Sequence, residues 1–110
     1  MKTKLFILSI FSVFLILSSC KKEETPVVKV TYVKDVKPIF VANCSCHLVG
    51  GANPNKWDDY ATAKSKIALI LDRVNREPTA VGFMPKNGTK LPAATITTLT
   101  KWNTDGTLEN

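Results

Sequence analysis

The clearest pattern in the chain is the three-and-four spacing of Tyr60, Ala63, Ile67, Ile70, Leu71 and Val74, which predicts one long amphipathic helix. Asp58 and Asp59 fall where a helix N-terminus favours negative charge, Arg73 and Arg76 fall near the other end, and Pro78 stops the helix. A shorter stripe of Val36, Ile39 and Phe40 follows Asp35, read as a helix cap, with Pro38 in the first turn, where its missing N–H has no intrahelical partner to lose. Beyond Pro92, the residues Ile96, Leu99 and Trp102 recur every third position, and Gly106 lies near the end of this final helix. Thr95, Thr97, Thr98 and Thr100 would suit a strand equally well, but an apolar period of three argues for helix. The segments between are irregular. Gly50, Gly51, Asn53, Pro54 and Asn55 break the first, and three prolines with two glycines break 77–92. The expected architecture is all-α, three to four helices in a single domain, with no internal repeats.

Ahead of the helices, Lys2 and Lys4 precede an apolar run at 5–17, the charge-then-hydrophobe order of a secretory signal and short for a membrane span. The following Leu17-Ser18-Ser19-Cys20 resembles the lipobox of bacterial lipoproteins. That likeness implies cleavage after residue 19 and lipid on Cys20, whereas an unpaired thiol heading an exported chain would be a liability. A charged, proline-punctuated stretch, Lys21-Lys22-Glu23-Glu24-Thr25-Pro26, then reads as a tether. Its first four residues also resemble the signals that send lipoproteins to the cell surface in some Gram-negative lineages; a plain solvated linker fits them as well. The expected division is a signal peptide over 1–19, a lipid-anchored tether over 20–31, and a folded domain over 32–110.

The formal charge of +6 falls by two when Lys2 and Lys4 are removed with the signal, so the basic excess is modest and carries no nucleic-acid footprint. About 80 residues is a size at which a hydrophobic core alone leaves little margin and a staple is usually needed. The chain holds three cysteines and one histidine. Disulfide framing is therefore sparse, and the chemistry concentrates in one block.

That block is Cys44-Ser45-Cys46-His47. Two thiols with an imidazole directly after the second suit covalent haem attachment, since thiols add across the haem vinyls while the adjacent histidine coordinates the iron. One residue, Ser45, separates the cysteines. On a regular helix that turns the first thiol by about 100° from where a two-residue spacer would hold it, so either the backbone leaves helical geometry there or Cys44 stays unlinked. A Cys44–Cys46 disulfide or a zinc site are the other uses of the block, zinc needing a fourth ligand from Asp58 or Asp59. Met84, in Gly82-Phe83-Met84-Pro85, sits away from any helical stripe, as a ligand or as apolar filler.

On Cys46-His47, Met84-Pro85 and the order of helices, residues 32–106 resemble the small soluble class of c-type cytochromes. The resemblance implies a cytochrome c-like fold around one haem c, bound covalently through Cys46, with Cys44 either a second link or left unlinked, and with His47 and Met84 as axial ligands. The first and last helices would cross, with Phe40 and Trp102 in the crossing. With both axial positions filled, no iron position is left for substrate, and the expected function is one-electron transfer by a membrane-anchored monomer with redox proteins as partners, not catalysis. Lys56, Lys86 and Lys90 flank the relevant loops and could steer acidic partners. An open sixth position would instead make the protein a peroxidase or gas sensor, and failure of attachment would leave a haem-free surface lipoprotein. The expected location is the outer membrane of a Gram-negative bacterium, on its periplasmic face or at the cell surface.

Overall fold

The computed structural model describes residues 25–110. The expected signal peptide and the expected lipid-bearing Cys20 lie outside the described residues. None of the described helices is long and apolar enough to cross a membrane.

The first helix starts earlier than Asp35. A π-helical turn, Tyr32–Val36, runs without a break into the α-helix Lys37–Asn43, α1. Asp35 is inside that turn rather than at its cap, and its Oδ2 accepts from the Thr31 N–H at 2.8 Å, reaching backwards to satisfy an amide the helix leaves free. Pro38 explains the wide turn. A proline ring presses on the carbonyl four residues back in a regular α-helix, and the five-residue spacing just before it, with Lys37 N–H bonded to Tyr32 O, relieves the crowding.

The long helix is α2, Tyr60–Asn75, capped by Asp59, whose Oδ2 accepts from Thr62 N–H at 2.8 Å. Of the expected stripe it buries Ala63, Ile67, Ile70 and Val74, while Tyr60 and Leu71 are half-buried. The last helix is α3, Ala93–Thr104, burying Leu99 and Trp102. Its threonines are reconciled with helix by their hydroxyls: Thr97, Thr98 and Thr100 donate to the carbonyls of Ala93, Ala94 and Ile96 at 2.9, 3.1 and 2.9 Å. Beyond it Gly106 takes a φ of +95°, and Thr107 N–H returns to Trp102 O at 2.9 Å, closing the helix end.

Three α-helices and no named strand make the described part all-α; the one β-like feature is an isolated parallel bridge between Thr31 and Leu108. α2 packs on α3, and α3 packs on the opening turn. The ring that meets Trp102 there is Tyr32, at 5.8 Å between centroids, whereas Phe40 sets its ring against Trp57 at 5.4 Å. Phe40, Val36, Ile70, Leu99 and Trp102 form the fully buried centre. The two ends of the domain are tied together by Tyr32 N–H to Leu108 O at 2.8 Å and Val30 N–H to Asp105 Oδ2 at 3.0 Å.

Candidate functional site

The backbone leaves helical geometry at Cys44, where φ is −130° and ψ is 40°, so the first of the two geometries open to a one-residue spacer is the one adopted. Its N–H still closes α1 on Phe40 O at 2.8 Å, and its carbonyl then accepts from His47 N–H at 2.8 Å, starting a tight 3₁₀ turn over Ser45–His47. The reversal lets both thiols border the same space despite the short spacing. Cys46 is exposed and Cys44 half-buried; both are free thiols. Burial pushes the Cys44 thiol up to about 11, with the neighbouring Cys46 charge adding to the effect.

The loop after His47 folds back over this turn. Asn53 N–H bonds Cys46 O at 2.9 Å, and Trp57 N–H bonds His47 O at 2.7 Å. A Cβ on Gly51 would overlap the carbonyls of Ser45 and Cys46, so only glycine permits the approach. Asp58 holds the loop from outside, its Oδ2 accepting from Val49 N–H at 3.1 Å.

His47 is buried, 9 % exposed, between that loop and Trp57. Its Nδ1 is 3.3 Å from Asn55 O. A carbonyl can only accept, so Nδ1 carries the proton in this contact and Nε2 keeps its lone pair. Burial holds the imidazole below its usual value, against a smaller opposing effect of the Asn55 bond. The neutral form is favoured.

Opposite, the loop after α2 carries Met84, half-buried beside the buried Phe83. Between the two loops lies a cavity of about 480 Å³ lined by Cys44, Cys46, His47 and Met84, with Trp57, Val74 and Leu91 as its apolar wall. A second hollow of about 210 Å³, lined by Lys66, Ile70 and Arg73, shares His47, Trp57 and Met84. The larger cavity lies within the roughly 300–1,000 Å³ of small-molecule sites. Trp57 Nε1 is a buried donor without an acceptor.

All four expected cofactor residues thus line one space. The expected lysines are less uniform. Lys56 Nζ is tied to Gly51 O at 2.8 Å and Lys90 Nζ to Asn75 O at 3.0 Å, while Lys86 is exposed and lines the cavity. Lys56 and Lys90 brace loops instead of standing free for a partner. For zinc, Asp58 and Asp59 are already engaged with Val49 and Thr62, and among the described residues no group of three or more His, Cys, Asp or Glu is gathered to hold an ion.

Sequence reasoning left Trp57 and Asn55 without roles. A tryptophan directly after an Asn/Pro/Gly-rich loop was the available signal for the first; a backbone carbonyl such as Asn55 O leaves none. In comparison with known proteins, no family model, no curated relative and no solved structure matches the chain.

Proposed function

We propose that the chain is a one-electron carrier, a membrane-anchored monohaem c-type cytochrome with His47 and Met84 as axial ligands and lipid on Cys20. The observation that carries this reading is the single cavity bordered by Cys44, Cys46, His47 and Met84. When bound there, haem c supplies a reversible one-electron couple at its iron.

The chain's own residues divide the remaining work. The cysteines would hold the group through thioether links, an S–H adding across a C=C so that no outside oxidant would be needed. Cys46, exposed and adjacent to His47, would make the first such link, and Cys44 is the candidate for a second. Asn55 O orients the His47 ring through Nδ1 and raises the basicity of Nε2. The Met84 thioether is a soft donor that favours the reduced metal. With two protein ligands committed, electron exchange through the cavity mouth is the function, with Lys86 at its rim facing redox partner proteins.

The test is an alkaline pyridine haemochrome spectrum of full-length chain matured with a c-type attachment system, taken after acid-acetone extraction, beside a Cys44→Ala variant. Retained colour is expected, with an α-band position that counts the vinyls consumed. Complete loss of colour from folded protein would overturn the reading.

A further inference from the structure

The last turn of α2 is joined to the Met84 loop by a set of bonds that ordinary helix termination does not require. Arg73 Nη1 donates to Gly82 O at 3.3 Å, while Arg73 O accepts from Met84 N–H at 3.2 Å. One residue therefore grips the loop on both sides of Phe83. Arg76 Nη1 donates to Val81 O, and Arg76 Nη2 is held in place by Asp72 Oδ2 at 2.7 Å. Gly82 has a φ of +80°, and a Cβ there would overlap the Arg73 guanidinium and come within 2.8 Å of Arg76 Nη1. The loop backbone is thus shaped to admit two guanidiniums where a side chain would otherwise lie.

We infer that Arg73 is the positioning residue for Met84, a clamp that holds the loop so that the thioether stays at the cavity. The inference rests on the reading of Met84 as an axial ligand. The loop makes local turns of its own, Ala80 N–H to Glu77 O at 2.9 Å, Phe83 N–H to Ala80 O at 3.1 Å and Gly88 N–H to Pro85 O at 3.0 Å, but the Met84 amide between them is held by Arg73 O. Phe83 strengthens the grip, buried at 6 % exposure immediately beside Met84. Arg73 also lines the smaller hollow together with Met84 and His47.

The test compares Arg73→Ala and Arg73→Lys with the parent in full-length chain matured with the attachment system. Amide hydrogen exchange is read first, because it reports loop opening whether or not haem is attached. Loss of one charge-assisted hydrogen bond should speed exchange at the Met84 amide about tenfold in Arg73→Ala, with partial recovery in Arg73→Lys. The amides of Leu99 and Trp102 in α3 should keep their protection. Added imidazole then probes the haem-bearing protein, since it binds iron only when Met84 has swung away. Its apparent dissociation constant should fall about tenfold in Arg73→Ala, in step with the open fraction. Unchanged Met84 exchange overturns the clamp, as does equal acceleration at Met84 and in α3, which would mark a general loss of stability. Wild-type protein that binds imidazole with no methionine to displace, judged by a Met84→Ala variant of equal affinity, overturns the ligand role of Met84 instead.

Discussion

The His47 imidazole lies flat on the Trp57 indole, 3.5 Å between ring centroids and 8° between planes. Trp57 in turn meets Phe40 on α1, so the imidazole is supported by the aromatic centre of the fold rather than by its loop alone. Trp57→Ala should cost about 3–5 kcal/mol of stability, the range for emptying a large aromatic site. Trp57→Phe keeps an aromatic surface for His47 and should cost much less. Urea unfolding followed by far-UV circular dichroism checks both, and equal losses would show that the stacking contributes nothing.

Tyr32 joins the opening turn to the same site, its hydroxyl donating to Trp57 O at 2.6 Å. Burial pushes this phenol up to about 12, helped by the negative charges of Asp58, Asp59 and Glu109. The folded state therefore keeps the proton after the unfolded chain has lost it. Its contribution is complete below the ordinary tyrosine value of about 10 and disappears as the pH rises through the folded value. Tyr32→Phe should lower stability by about 1–3 kcal/mol at neutral pH by leaving a buried carbonyl unpaired. It should also remove this alkaline loss, which thermal unfolding between neutral pH and pH 12 would measure.

Asp105 fastens the two ends of the domain. Its carboxylate accepts from Lys101 Nζ at 2.8 Å and from Val30 N–H at 3.0 Å, and these bonds, Lys101 first, hold it below the usual carboxylate range. A depressed value means that its contribution is present above about pH 4 and is lost as the pH falls through the lower folded value. Asp105→Asn should flatten this part of the acid unfolding curve. Amide exchange at Val30 should quicken in the same variant, and unaltered protection there would contradict the fastening role.

The two thiols should differ in haem-free protein carrying Cys20→Ser. Cys46 is exposed, while Cys44 is half-buried with its thiol pushed up to about 11, so little thiolate is available at Cys44 near pH 8. Alkylation should show one fast phase, absent in Cys46→Ala and retained in Cys44→Ala. A fast phase that survives in Cys46→Ala would reverse the order of reactivity.

The helices were legible because their causes are local. Apolar spacing and the Asp59 cap define α2, and a period of three prevailed over threonine propensity in α3, where the hydroxyls of Thr97, Thr98 and Thr100 found carbonyls one turn back. The start of the first helix was less legible. Asp35 has the chemistry of a cap, but its carboxylate reaches back to Thr31 while Tyr32 is bonded to Leu108, a partner far along the chain. Arg73 and Arg76 had a sufficient local explanation as charges at a helix end. Their contacts with Gly82 and Val81 depend on how the next loop returns, which spacing does not encode.

By itself, then, the sequence determined which side chains could ligate and which segments would be helical, since residue chemistry and helical period are properties of neighbours along the chain. Only the tertiary structure decided that Cys44 turns out of the helix toward the cavity bordered by Cys46, His47 and Met84, and that Asn55 and Trp57 orient the imidazole. Those outcomes depend on a loop folding back over the Ser45–His47 turn and on aromatic rings meeting across elements, and both are settled by packing between residues distant in sequence.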